Sequence, residues 1–196
     1  MLPDGYSDVP PGKIAAVVTH LEMTQRTSPR PECGEACTLR HVEHPDLDWF
    51  RDLYRRVGEE WLWFSRLRLS DAELGAIVQA QGVDVYALEH EGRDEGLLEL
   101  DFRRTDECEL AFFGVTAQLI GTGAGRWLMN RAIELAWSKP IRRFSVHTCT
   151  FDHPSALAFY QRSGFTPIRR QIEIADDPRV DGTSPRSVAR HVPIIE

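Results

Sequence analysis

The sequence predicts a mixed α/β fold, a largely antiparallel sheet flanked by helices, and three observations carry that reading. Strand-like segments follow one another between Val83 and Val115 with only short charged or polar turns between them, as antiparallel neighbours do. Beyond Val115 the order becomes helix, strand, helix, strand, which adds helices to the same sheet. With 196 residues, 42% of them hydrophobic, the chain can fill one well-packed core, so a single domain over residues 1–196 is expected.

Each element has its own signal. Residues 1–12 are rich in Pro and Gly and read as a loose N-terminus. The β-branched run Lys13–Met23 and the segment Thr38–Val42, separated by a proline-containing turn, predict an N-terminal hairpin over 13–42. Leu47, Phe50, Leu53, Tyr54 and Val57 recur at spacings of three and four, which predicts an amphipathic helix over Asp46–Val57. Ser70-Asp-Ala-Glu is a capping box that opens a second helix running to about Gln81. Strands follow at Val83–His90, Gly96–Arg103 and Cys108–Val115. A helix over Gly123–Ser138 places Ala124, Leu128, Ala132 and Leu135 on its apolar face, with Arg126, Asn130 and Glu134 opposite. A strand at Arg142–Thr148, a helix at Pro154–Ser163 stopped by Gly164, and a strand at Phe165–Ile174 complete the main body. Residues 175–196 read as a loop and a closing strand from Val188 to Ile195.

Composition limits the partners. A net charge of −7 argues against nucleic acid, whose readers usually carry a basic face, and suits a neutral or cationic small substrate. The chain has no apolar run approaching 18 residues and no basic leader, so a cytoplasmic protein with reduced thiols and no membrane partner is expected. Cys33, Cys37, His41 and His44 lack the long middle segment of a zinc finger, so no metal is expected.

The most informative stretch is Glu109–Arg126, ELAFFGVTAQLIGTGAGR, where an apolar strand carrying one acid enters an alternating glycine loop and then a helix. A helix N-terminus approached by glycine backbone holds anions, and pyrophosphate is a common large anion. A dinucleotide fold would place the glycines after the first strand and an acid at the end of the next; here they lie mid-chain and the next strand ends in HTCT. A P-loop would need Lys-Ser or Lys-Thr, which GTGAGR lacks.

Taken together, ELAFFGV, GTGAGRWLM and DHPSALAFYQRSGF resemble the GNAT superfamily of acyl-CoA-dependent N-acetyltransferases from about Val83 to Ile174. The resemblance implies a GNAT-like fold in which the sheet contains one splayed parallel pair. It implies acetyl-CoA as co-substrate, its pyrophosphate on Gly121, Thr122, Gly123, Ala124, Gly125 and Arg126. The freed backbone of Phe113, Gly114 and Val115 would pair with the pantetheine amides and polarise the thioester carbonyl. Ile120 stands where the family has Gln or Arg, so backbone donors carry more of the phosphate binding. His153 falls where the family often has an Asn near the pantetheine, and the resemblance implies that Asp152 or His153 makes that contact.

In that register Glu109 corresponds to a general base, with Glu99 on the neighbouring strand as the alternative, and Tyr160 to the acid that protonates the departing thiolate. His147 and Cys149 share a strand face, but direct transfer in a ternary complex needs no cysteine nucleophile. The aromatic segment 59–64 corresponds to the cover of the acceptor site, which makes Glu60, Trp61 and Trp63 candidates for holding an ammonium, while Leu62 and Phe64 read as core. The implied activity is acetyl transfer to a small primary amine. A non-catalytic acyl-CoA-binding regulator and a peptide or protein N-terminal acetyltransferase are the alternatives. The N-terminal hairpin and last strand offer edges for a homodimer.

Overall fold

A computed structural model of the chain describes residues 4–32 and 37–196. Its sheet runs β2-β3-β4-β5-β6-β1-β7. The strands are β1 Lys13–Met23, β2 Thr38–His41, β3 Val83–His90, β4 Arg93–Asp101, β5 Glu107–Val115, β6 Arg143–Cys149 and β7 Thr166–Asp176. Neighbours pair antiparallel except β5 and β6, which run parallel. The α-helices are α1 Leu47–Gly58, α2 Asp71–Val78, α3 Ala124–Ala136 and α4 Ala156–Arg162. This is the mixed α/β architecture that the element order predicts.

Each face of the sheet buries its own core. On one, Phe50, Leu53, Tyr54 and Val57 of α1 and Leu74 and Val78 of α2 pack on Val83, Val85, Ala87 and Leu97. On the other, Leu128, Met129 and Ala132 of α3 and Tyr160 of α4 pack on Leu98, Leu100, Leu110, Phe144 and Val146. The local signals are realised closely. Asp46 caps α1 by accepting from the Trp49 N–H, and Ser70 and Glu73 form the reciprocal capping box of α2.

Non-local pairing corrects the expected N-terminal hairpin. β1 sits between β6 and β7, while β2 lies five places away on the edge beside β3. β1 carries buried side chains at Ile14, Ala16, Val18, Leu21 and Met23, and strands arriving more than 100 residues later satisfy its backbone on both sides. A further change concerns Asn130, placed on the polar face of α3 by periodicity. It is buried, accepting from the Arg30 N–H at 3.0 Å and donating to the Arg30 carbonyl at 2.8 Å, and so clips the connection after β1 to the helix. The helix expected from Pro154 begins at Ala156, because a turn comes first: His153 accepts the Ala156 N–H at 2.7 Å and its Nδ1 accepts the Ser155 N–H at 3.1 Å.

The expected closing strand over Val188–Ile195 does not form. Buried Arg179 gathers the carbonyls of Ala189 at 3.1 Å and Val192 at 2.7 Å while pairing with buried Asp177 at 2.7 Å. Those carbonyls turn inward to a guanidinium instead of sideways to a strand, and Ala189 lies at φ +49. The expected loose N-terminus is itself pinned at Gly12, which donates to Ile195 and accepts from Asp177. No helix among the described residues is long and apolar enough to cross a membrane.

Arg179→Ala would strand the Asp177 carboxylate and the tail carbonyls of Val188, Ala189 and Val192. Denaturant unfolding should show a loss of roughly 3–5 kcal/mol, as for other broken buried pairs; a loss under about 1 kcal/mol would contradict this account of the tail.

Candidate active site

The glycine turn forms because two of its residues sit where side chains are strained. Gly121 has φ +86 and Gly123 φ +103, and Gly123 is the N-cap of α3, with no side chain to close the helix end. Thr122 braces the turn from within, its hydroxyl donating to the Leu119 carbonyl at 3.0 Å and accepting from the Ala124 N–H at 3.3 Å. A methyl group added at Gly121 or Gly125 would meet nothing within 4 Å, so both face open space. Gly121, Gly123, Gly125 and Arg126 line a cavity of about 790 Å³, whereas Thr122 and Ala124 stand behind it.

Two further cations border that end. Arg30 and Arg162 line the cavity with Arg126. Burial first, then the charges of Arg126 and Arg162, lower the pKa of Arg30. Three guanidiniums drawn together at an open helix N-terminus are an anion site with excess positive charge, which fits a pyrophosphate better than a carboxylate. Sequence inspection missed Arg30 because the Asn130 clip that delivers it joins residues 100 positions apart.

From the glycine turn the cavity follows the gap between β5 and β6. Their parallel pairing ends at Leu110 and Val146. The β4–β5 register slips between Glu99 and Leu100, leaving Ala111 as an extra residue that bends β5 away. Phe113, Gly114 and Val115 therefore keep β4 as their neighbour and turn their other edge to the cavity. Gly114 is required there, since a Cβ would stand 2.6 Å from Val57 Cγ1 and 3.4 Å from the Trp63 ring.

Tyr160 closes the far wall of the gap, its ring within 6.3 Å of Phe113 and 6.0 Å of Phe165. Burial, with Asp152 adding to it, pushes its phenol well above the ordinary range, so Tyr160 keeps its proton. Asp152 is an organiser of this corner. It accepts from the Thr148 hydroxyl at 2.6 Å, the Cys149 N–H at 2.8 Å and the Trp63 indole at 3.4 Å. His153 packs edge-on against Trp61 with ring centres 5.1 Å apart.

At the end away from Arg30, Arg126 and Arg162, Glu109 and His147 meet on adjacent strands with Oε1 to Nδ1 at 3.7 Å, a charge contact longer than a hydrogen bond. His147 holds the Glu109 carboxyl below its ordinary value, and Glu109 holds the His147 imidazole above 6.5. The pair thus contributes to stability only between those limits. It is lost as pH falls through the lowered Glu109 pKa or rises through the raised His147 pKa. His147, placed by the sequence on one strand face with Cys149, is half exposed and lines the cavity. Burial pushes the Cys149 thiol up to about 11, which leaves it protonated at neutral pH.

Glu99, the alternative acid, is fully buried, holds Arg66 at 2.5 Å and does not line the cavity. Its partner Arg66 does, stacked over the Phe112 ring at 4.9 Å. Trp61 and Trp63 line the cavity, but Glu60 turns away, accepting from the Ala189 N–H at 3.2 Å. Leu62 is buried as expected, and Phe64 borders the opening. Of the cysteine and histidine cluster, Cys33 lies outside the described residues and His41 stacks on Tyr86. Among the described residues no group of three or more metal-ligating side chains converges.

The acetyltransferase (GNAT) family model matches residues 42–165. No curated protein matches the chain. Among solved structures it is similar to a GCN5-related N-acetyltransferase from Sphaerobacter thermophilus, at 15% identity and TM-score 0.63, covering 83% of this chain and 52% of that one. It also resembles an IAA acetyltransferase from Bacillus cereus ATCC 14579, at 21% identity and TM-score 0.54, covering 68% and 79%. A third is an aminoglycoside acetyltransferase from an uncultured soil metagenomic sample in complex with sisomicin, at 17% identity and TM-score 0.53, covering 65% and 86%. The chain thus spans about half the length of the Sphaerobacter protein. At these identities the likeness is one of fold.

The Glu109–His147 contact is open to direct measurement. In an NMR pH titration His147 should lose its proton at a pH above that of an ordinary imidazole, and Glu109→Gln should move that midpoint down. A midpoint indifferent to Glu109→Gln would remove the pair.

Proposed function

The chain belongs to the GNAT acetyltransferase family, and from that premise we propose that it moves an acetyl group from acetyl-CoA directly to a primary amine of a small cationic molecule. The observation behind this reading is the polarity of the cavity. Arg30, Arg126, Arg162 and the glycine turn lie at one end; Glu109, Glu173 and Asp101 lie at the other, where Arg103 is held by Asp101 and Arg66 by Glu99; and the β5–β6 gap joins the two ends. Its volume of 790 Å³ falls within the range common for small-molecule sites.

Acetyl-CoA would supply a thioester, an acyl group already activated toward an amine. The residues that would hold it are the glycine turn and arginines for the pyrophosphate and the free edge of Phe113–Val115 for the pantetheine amides. At the other end the Glu109 and Glu173 carboxylates and the faces of Trp61 and Trp63 attract an ammonium. An ammonium cannot attack until it loses a proton. A carboxylate with a lowered pKa is a poor resting place for that proton, whereas an imidazole with a raised one is suitable. Glu109 and His147 therefore act as a unit once pH lies above the raised His147 pKa and the imidazole is neutral: Glu109 holds the amine and the proton settles on the free His147 nitrogen. Tyr160, which retains its proton across the neutral range, is the donor on the opposite wall. The protonated Cys149 favours direct transfer over an acetyl-cysteine route.

Free thiol should appear from acetyl-CoA when the enzyme meets one member of a panel of polyamines, aminoglycosides, amino acids and short peptides. Acetyl-CoA binding without thiol release across the panel would instead indicate a regulatory binding module. With the active amine, Tyr160→Phe should lower kcat on the order of 100-fold with little change in acetyl-CoA KM. Arg30→Ala or Arg162→Ala should raise that KM roughly ten-fold and spare kcat. Equal losses in both parameters for Tyr160→Phe would overturn its assignment as the acid.

A further inference from the structure

The last strand presents a surface that the proposed reaction does not use. β7 is eleven residues long, pairs among the described residues only with β1, and is exposed at every position except Ala175. One of its sides is apolar: Ile172 and Ile174 are 53% and 56% exposed, and Val17, opposite Ile172 on β1, is 40% exposed. A strand of this length with a bare ladder edge and an apolar flank is a template for another strand. The opposite sheet edge, β2, has only four residues.

The order of side chains along β7 identifies the occupant. When two copies of a strand pair antiparallel across a two-fold axis, opposing residues share a face, so their numbers must sum to an even value. Centred on Gln171, that pairing sets Arg169 against the partner's Glu173 and Glu173 against the partner's Arg169. On the other side Ile172 meets the aliphatic stem of the partner's Arg170. Centring one residue earlier sets Arg169 against the partner's Gln171, and one residue later sets Arg169 against the partner's Ala175, so both lose the charge match. Charges on an edge ordinarily keep strands apart; here one register turns them into two cross-strand ion pairs.

We propose that the protein forms a homodimer in which β7 pairs antiparallel with the partner's β7 about a two-fold axis at Gln171, making a continuous fourteen-stranded sheet from the two seven-stranded ones. Glu173 lines the cavity, so the partner's Arg169 comes to rest at the acceptor-side rim, where it takes up the Glu173 charge and leaves Glu109 as the carboxylate that draws the ammonium in the dimer. The dimer stands on the strand geometry alone and does not depend on the reaction being acetyl transfer.

Light scattering at rising concentration should give a mass approaching twice the 22.3 kDa chain. Disulfide trapping then reads the register, because directly opposed residues lie about 5 Å apart, within bridging range, whereas residues four positions out of step do not. Gln171→Cys should cross-link to itself. Arg169→Cys and Glu173→Cys should each fail alone and cross-link when mixed. Arg169→Glu should weaken the dimer roughly ten-fold, and Arg169→Glu with Glu173→Arg should restore it. These side chains are exposed, so unchanged thermal melting at a concentration where the chain is monomeric separates dissociation from misfolding. A chain that stays monomeric at its highest soluble concentration would overturn the proposal. So would trapping at 169 or 173 alone, or a double swap that fails to restore association.

Discussion

The extra residue at Ala111 is the constraint on which the rest of the molecule turns. Without it β5 would continue its ladder with β6, the gap would zip shut, and the sheet would be a continuous wall. With it the pairing stops at Leu110 and Val146, and a row of backbone groups is left facing a cleft in the middle of a hydrophobic sheet. That arrangement is costly unless the cleft is used, since backbone donors and acceptors held away from partners need water or a ligand. Helix packing on both faces maintains the gap. Val57 and Trp63 press on Gly114 from one side, and Phe113 sits against Phe159 and Tyr160 on the other.

Electrostatics gives the cleft a direction. Backbone amides, the α3 N-terminus and three arginines make one end positive, and carboxylates left partly free make the other negative. The arginines at the acidic end, Arg66 and Arg103, are neutralised locally by Glu99 and Asp101, which leaves Glu109 and Glu173 to set the sign there. The chain's overall charge of −7 is therefore a poor guide to the phosphate-binding end, where the local sign is reversed.

What could be read in the sequence is what is decided locally. The capping residues Asp46 and Ser70, the glycines at 121 and 123, and the strand–turn–helix order around them depend on neighbours a few residues away, and each forms where its pattern indicates. What could not be read is decided at long range. β1 looks like half of a hairpin by proximity, yet its partners arrive with β6 and β7. Asn130 looks like a surface residue until Arg30 folds against it, and without that clip Arg30 could not be placed at the anion end, nor could Arg162, which arrives there on a separate helix. The tail alternates like a strand, but Arg179 offers its carbonyls a better partner. His147 was visible as a residue, while its contact with Glu109 follows only from the parallel register of β5 and β6.

The central claim is that the splayed strands and the glycine turn form one continuous seat for acetyl-CoA. Amide hydrogen exchange with and without acetyl-CoA tests it most directly, peptide by peptide. The account predicts slowed exchange in both Ala111–Val115 and Gly121–Arg126, with β2 at the far edge unchanged. Slowing confined to the glycine turn, or absent from both segments, would contradict it.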